Sequence, residues 1–137
     1  AIPGSRHFSV RIAGDGPLLL MPRPAAWYAA NDSNAGAVLN DARNAARAAG
    51  FDYAAYDLDA VRYSGASGSF NGQAYVGSRG CWLKSSSVGV AVHEFGHNLG
   101  LWHANFWSTG GESAIGSGTN SEYGNSFDTM GSAQAGR

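Results

Sequence analysis

The alternation of hydrophobic and polar residues along the chain predicts two helices joined to a set of short strands. Residues 8–12 alternate between apolar and polar side chains, which is typical of a half-buried strand. Ser33 or Asn34 can cap a helix that runs to about Ala49, with its apolar residues on one face. Gly50 follows as a natural stop, because glycine readily takes the backbone conformation that ends a helix.

The middle of the chain is aromatic and β-prone, which predicts further strands. They are expected at residues 53–56, 60–63, 73–76 and 81–83. Three serines at residues 85–87 then offer caps for a second helix that begins at Val88. The order of strand, helix, several strands, helix and long loop predicts an α+β fold. Since no linker or repeat interrupts it, we treat residues 1–137 as a single domain.

The composition excludes several classes of function. The chain has 137 residues, of which 44% are hydrophobic, enough for one domain with a real core. Only 14% are charged and the net charge is −1, so the sequence offers no basic patch for nucleic acid. No run of about 18 apolar residues is present to span a membrane. Cys81, the single cysteine, is expected either as a small buried hydrophobe or as a thiol that pairs outside this chain.

The chemistry is carried by residues 93–103, which read HEFGHNLGLWH. At about 100° per residue, His93 and His97 lie about 40° apart, one turn along the same helix face, so both imidazoles can reach one ion. The opposite face is expected to be buried. It comprises Val88, Ala91, Val92, Phe95 and Leu99.

Two histidines leave a zinc site incomplete, and His103 is the expected third ligand. Gly100 can take a positive φ, end the helix and turn the chain back toward the metal. Three neutral imidazoles leave the fourth zinc position open for water, whose pKa zinc lowers to about 7. Glu94, beside His93, can take a proton from that water and pass it to the leaving amine. The pattern therefore predicts amide hydrolysis by a metal-activated water, with no covalent intermediate.

The full pattern is specific. At ordinary residue frequencies it should arise by chance in fewer than about one in 10⁵ chains of this length. It resembles the metzincin signature, in which three zinc histidines are followed by a turn containing methionine. Met130, 27 residues after His103, is the candidate turn methionine. The sequences of residues 93–104 and 122–131 resemble the gametolysin-type branch of metzincins, and the resemblance covers residues 34–131.

The resemblance implies a particular fold. The expected sheet is mixed, mostly parallel and twisted, and its one antiparallel edge strand lines the cleft. An upper subdomain carries the active-site helix and a second packing helix, and a lower subdomain is irregular. Met130 is expected to form a hydrophobic base beneath the histidines without binding zinc. Ser132 stands where astacin-like members have a tyrosine that can reach zinc, so no such ligand is expected.

Metzincins usually close the lower subdomain with a C-terminal helix, whereas only seven residues follow Met130. We therefore expect this chain to be a truncated piece of a secreted protein, with a propeptide and a C-terminal region outside it.

The sequence thus predicts a zinc-dependent endopeptidase that binds an extended peptide along an edge strand, at residues 73–76 or 81–83. Four aromatic side chains could wall the cleft or simply pack in the core. They are Trp82, Trp102, Phe106 and Trp107. Two alternatives stay open. One is a zinc-stabilised binding module without turnover, against which Glu94 argues because a structural site needs no base. The other is a zinc amidase that acts on a non-protein amide by the same chemistry.

Overall fold

The computed structural model describes residues 9–11, 18–31, 36–63, 70–111 and 113–132. The helices in these ranges are α1 (Ala25–Ala30), α2 (Gly36–Ala48) and α3 (Val88–Asn98). The strands are β1 (Ser9–Arg11), β2 (Leu18–Leu20), β3 (Ala60–Arg62), β4 (Gly72–Ala74), β5 (Cys81–Leu83), β6 (Phe106–Ser108) and β7 (Thr119–Ser121). No helix in the described part of the chain is long and apolar enough to cross a membrane.

The central sheet has three strands in the order β3-β5-β4. Strand β5 lies in the middle, where Trp82 pairs with Val61 of β3 in parallel and with Gln73 of β4 in antiparallel. The α+β prediction is therefore confirmed. The sheet is mixed, with one parallel and one antiparallel pairing rather than mostly parallel pairings, and the antiparallel strand β4 lies at its edge.

Helices α2 and α3 cover opposite faces of this sheet. Successive side chains of a strand point to opposite faces. Trp82 of β5 accordingly packs with Leu39 of α2 in one buried cluster, whereas Cys81 and Leu83 pack with Val90 of α3 in another. All three residues of β5 are buried, as expected of a strand covered on both sides. Burial raises the pKa of the Cys81 thiol to about 12, with Glu94 and Asp59 adding to the shift, so this cysteine behaves as a small core residue.

Helix α2 lies where the pattern predicts it, and Gly50 after it has a positive φ of 88°. Its predicted caps lie outside the described residues. The strand predicted at residues 8–12 is present in its described part, β1, which pairs antiparallel with β2. Helix α1 is not predicted by the pattern, because two prolines mark this region as irregular. The second of them, Pro24, instead stands as the N-cap of α1, where a missing N–H costs little.

The strand predicted at residues 53–56 is wrong, because residues Tyr53–Ala55 form one turn of 3₁₀ helix. The Asp52 carboxylate accepts a hydrogen bond from the Ala54 N–H at 2.9 Å, which favours a turn over an extended chain. The Arg43 and Arg47 guanidinium groups each lie 4.9 Å from the Tyr53 ring centroid. The aromatic residue therefore serves as a platform for cations and not as a strand residue.

The predicted packing face of α3 is wrong in part. Ala91 and Phe95 pack against the buried cluster around Val90, whereas the other three residues of that face are exposed. Val88, Val92 and Leu99 are 77%, 50% and 72% exposed in the described structure. The buried residues of the helix are Val90, His93, Glu94, Gly96, His97 and Asn98. This happens because α3 packs its polar face inward, between the β4–β5 edge of the sheet and the segment around Met130.

The segment after α3 is less irregular than expected. Strands β6 and β7 pair antiparallel, and Phe106 and Trp107 of β6 are more than half exposed. The remainder of the described segment to Ser132 consists of turns and irregular backbone. Residues 133–137 lie outside the described residues, and so does the expectation about how the chain continues after Met130.

Candidate metal centre and cavity

Helix α3 carries the first two histidines one turn apart, as the spacing predicts. His93 and His97 are 2% and 7% exposed, and their ring centroids lie 4.8 Å apart. Glu94 follows His93 and is also buried. Buried polar side chains are tolerated only when they have hydrogen-bonding partners or a function.

The end of α3 brings the third histidine back toward the first two. Gly100 has a φ of 93°, a left-handed conformation that favours glycine. The Gly100 N–H donates to the His97 carbonyl at 2.8 Å, and the Leu101 N–H donates to the Gly96 carbonyl at 3.0 Å. These two bonds are the Schellman pattern of a helix terminus. The chain reverses direction there, and the His103 ring centroid lies 5.0 Å from that of His97.

Each of the three histidines has its Nδ1 engaged in a hydrogen bond. The partner of His93 Nδ1 is the Thr129 carbonyl at 2.8 Å. His97 Nδ1 contacts the Leu101 carbonyl at 2.8 Å, and His103 Nδ1 contacts Glu122 Oε1 at 2.7 Å. Carbonyl and carboxylate oxygens accept hydrogen bonds, so each Nδ1 carries the hydrogen and each neutral ring keeps its lone pair on Nε2.

The three imidazoles together could hold a metal ion. One ligand atom from each of His93, His97 and His103 lies within 4.8 Å of the others. Burial lowers the pKa of His93, and the neighbouring His97 and His103 lower it further. The hydrogen bond with Thr129 raises this pKa, but the net shift is downward. The neutral form that binds metals is thereby favoured. Partners that fix the tautomer through the distal nitrogen are the usual surroundings of metal-binding histidines.

Met130 lies beneath the histidine-bearing helix. It is buried, and its side chain occupies the space that a Cβ on Gly96 would need. The turn that carries it is closed by Asp128, whose Oδ1 accepts the Met130 N–H at 2.8 Å. The same turn presents the Thr129 carbonyl to His93. Met130 is thus an apolar contact of α3 between His93 and His97.

The side chain of Glu94 lies between its own helix, α3, and the edge strand β4. A Cβ on Gly72 of β4 would come within 2.8 Å of both Cγ and Oε1 of Glu94, so only glycine leaves this carboxylate its present place. Burial raises the pKa of the Glu94 carboxyl to about 7. A carboxyl with that pKa can both accept and release a proton near neutral pH.

Asn98 ties the turn between β4 and β5 to the end of α3. Its Nδ2 donates to the carbonyls of Tyr75, Ser78 and Gly80 at 3.0, 2.9 and 3.0 Å. The Gly77 N–H donates in turn to the His97 carbonyl at 2.8 Å. The turn between β4 and β5 is therefore fixed to the helix that bears the first two histidines.

A cavity of about 480 Å³ opens onto the histidines. The residues that line it come from β4 and its turn, from β5, from α3 and from the segment after it. They are Gly72, Gln73, Ala74, Tyr75, Val76, Trp82, His93, Glu94, His97, Trp102, His103, Glu122 and Tyr123. Of the four aromatic residues predicted for the wall, Trp82 and Trp102 line the cavity, whereas Phe106 and Trp107 lie in β6 and do not.

Glu122 and Tyr123 are site residues to which the sequence analysis assigns no role. Glu122 accepts the hydrogen bond from His103, and Tyr123 lies against that ring with a centroid distance of 3.8 Å. Burial raises the pKa of the Tyr123 phenol, and the charges of Glu122 and Glu94 raise it further. Their position 19 and 20 residues beyond His103 follows no helical or strand period that would connect them to the motif.

No protein-family model matches this chain, and comparisons with curated proteins and with solved structures find no match either.

Proposed function

We propose that the chain is the catalytic part of a zinc-dependent endopeptidase of the metzincin kind, resembling the gametolysin-type branch. One observation carries the proposal. Three imidazoles, each with its Nδ1 hydrogen-bonded, converge beside a buried carboxylate in an open cavity. His93, His97 and His103 would hold the zinc, and Glu94 would transfer protons. Secretion is part of the same proposal and rests on the resemblance alone.

The donor set fits zinc. Imidazole nitrogens suit this ion, and three of them leave one coordination position free, as catalytic zinc sites do. Structural zinc sites are usually closed by four protein ligands, often cysteines, and the described residues that line this cavity include no cysteine. When bound, zinc would polarise the attacking water and the substrate carbonyl, which the side chains alone cannot do.

Glu94 is the proton carrier in this proposal. Its carboxylate takes a proton from the attacking water while the water oxygen forms a bond to the carbonyl carbon. It then donates that proton to the amide nitrogen as the C–N bond breaks, which leaves a carboxylic acid and an amine. A pKa of about 7 supports both halves of the task near neutral pH.

Strand β4 supports a peptide as the substrate. It is an edge strand of the sheet, and all three of its residues line the cavity. The alternative expected at residues 81–83 is wrong, because β5 is the central strand and is already paired on both sides. The outer backbone groups of an edge strand can pair with an extended peptide, which gains main-chain hydrogen bonds along its length. A small non-peptide amide would not use this surface, so β4 favours the peptidase over the amidase alternative.

Digestion of a broad library of internally quenched peptides by the zinc-loaded protein tests the proposal. We expect cleavage that a chelator abolishes and added zinc restores. Zinc binding without cleavage of any peptide would contradict the proposal and favour the binding module or the non-peptide amidase.

One tightly bound zinc per chain is the first specific prediction. Elemental analysis after mild dialysis should find it, and chelators should remove it. Acid should also release the metal, because a protonated imidazole has no lone pair to offer. A normally folded protein that neither retains nor takes up zinc would contradict the assignment of the three histidines.

The second prediction concerns the place of the Glu94 carboxylate. Gly72→Ala puts a methyl group where Glu94 now lies, so the carboxylate must move. Displacing a reacting group by about 1 Å can cost about 10²-fold in rate, and we expect a loss of that order with unchanged zinc content.

Gly111→Ala is the matched control for this variant. A Cβ at Gly111 meets no atom within 4 Å, and Gly111 does not line the cavity. Peptide hydrolysis by Gly111→Ala should therefore equal that of the parent. If Gly72→Ala also hydrolyses peptides at the parental rate, the carboxylate does not depend on this contact.

A further inference from the structure

Tyr123 lines the cavity but takes no part in the proton transfer proposed for Glu94. Its ring centroid is 3.8 Å from that of His103 and 5.7 Å from that of His93. It lines the cavity together with Glu94. The aromatic ring therefore lies against His103 and near His93, inside the cavity that would admit a substrate.

The backbone of Tyr123 is held in an unfavourable conformation. Its φ is 59°, and no other non-glycine residue in the described ranges has a positive φ. For a bulky residue this conformation costs about 1–3 kcal/mol, and such strain tends to persist at functional sites. Two neighbours maintain it. The Tyr123 N–H donates to Asn105 Oδ1 at 3.1 Å, and Gly124 packs so closely on Phe106 that a side chain there would clash.

The Tyr123 hydroxyl is free to act on a substrate. None of the described residues makes a hydrogen bond to it, whereas its neighbour Glu122 is engaged with His103. An ordinary phenol is protonated at neutral pH and can donate one hydrogen bond. A strained, half-buried tyrosine whose hydroxyl has no hydrogen-bonding partner among the described residues, in the cavity that the three histidines line, indicates a function beyond packing.

We propose that Tyr123 is a further catalytic residue, whose hydroxyl donates a hydrogen bond to the carbonyl oxygen of the scissile bond. The assignment rests on the proposed peptidase function. The carbonyl oxygen gains negative charge when the water oxygen adds to the carbonyl carbon, so a fixed donor stabilises the transition state more than the ground state. No proton is transferred from the phenol in this step.

Tyr123→Phe tests the assignment, because phenylalanine keeps the ring against His103 and removes only the hydroxyl. Loss of one such donor costs about 10²–10³-fold in kcat, and we expect a decrease of about 10²-fold for a quenched peptide from the library. KM and zinc content should not change. The control is Tyr56→Phe, which removes a hydroxyl from a side chain that is 68% exposed and lies outside the cavity.

Inhibitor binding gives a second readout that does not depend on turnover. A phosphinic peptide carries negative oxygens on a tetrahedral centre, as the transition state does. Tyr123→Phe should weaken its binding to the zinc-loaded protein at least about tenfold in isothermal titration, in proportion to the lost donor. The affinity for the corresponding product peptide should be unchanged.

Unchanged kcat and unchanged phosphinic-peptide affinity in Tyr123→Phe would overturn the assignment. Loss of zinc from this variant would also overturn it, because it would show that Tyr123 acts in the metal site instead. If Glu94→Gln also hydrolyses peptides like the parent, or the parent cleaves none, the proposed function itself fails. If Glu94→Gln is inactive while Tyr123→Phe is unaffected, only the role of Tyr123 is wrong.

Discussion

Glu94→Gln is expected to lower peptide hydrolysis by about 10²–10⁴-fold, the contribution of a well-positioned general base. Glutamine keeps the size of the side chain and so still fits against Gly72. It cannot take up a proton from water. Glu94 is not among the three proposed ligands, so zinc content should remain at one per chain. The melting temperature should not fall, because a pKa raised by burial means that the charge of this carboxyl opposes folding.

Asp52→Asn is the matched control for Glu94→Gln. It makes the same carboxyl-to-amide change in an exposed residue, and asparagine can still accept the Ala54 N–H. Kinetics and elemental analysis should be measured on both variants. Parental turnover in Glu94→Gln would show that Glu94 does not activate the water.

His97→Ala is expected to abolish both zinc binding and hydrolysis, because two remaining imidazoles hold zinc poorly. Elemental analysis and the peptide assay should therefore fail together, in contrast to Glu94→Gln, where only the assay fails. His97 also contacts the Leu101 carbonyl, so its loss could loosen the turn after α3. His103→Ala avoids this problem, since His103 lies beyond the helix and is only half-buried. It should lose metal in the same way.

His7→Ala provides the control for both histidine variants. His7 lies outside the motif and outside the described residues, and the sequence predicts no metal-binding role for it. Zinc content and turnover should match the parent. Retention of a full equivalent of zinc by His97→Ala and His103→Ala would mean that the metal is held elsewhere.

Much of the fold follows from local signals. Strand β5 and helix α2 lie within one or two residues of their predicted positions, because their apolar patterns and flanking glycines are properties of short windows. The return of the chain after α3 is likewise local, since it depends on Gly100. The prediction at residues 53–56 fails for a reason equally close in sequence, the turn-forming carboxylate of Asp52.

The burial of α3 could not be predicted in this way. An amphipathic helix normally buries its apolar face, which leads to the expectation that Val88, Val92 and Leu99 are inside. The polar face is buried instead because partners from distant parts of the chain satisfy it. Thr129 accepts from His93, and the β4–β5 turn accepts from Asn98. Periodicity reports the polarity of a helix face and carries no information about those partners.

The sequence pattern does not predict that Glu122 and Tyr123 belong to the site, for a related reason. Their contacts with His103 and His93 depend on how the segment after α3 folds back, and on the left-handed backbone at Tyr123. Neither feature has a spacing rule. A tyrosine with positive φ is rare, so a sequence pattern gives no reason to expect one there.

The assembly of the proposed metal centre has a local part and a distant part, which the Nδ1 hydrogen bonds distinguish. The three histidines lie within eleven consecutive residues, so gathering them closes only short loops. The bond from His93 to Thr129 spans 36 residues, and that from His103 to Glu122 spans 19. Closing 36 residues rather than the six from His97 to His103 costs about 1.6 kcal/mol more in chain entropy. During folding, therefore, the short segment that carries the three histidines could bind the ion early. The tautomer and orientation of the His93 and His103 rings would be fixed only later, when residues 122–129 reach them.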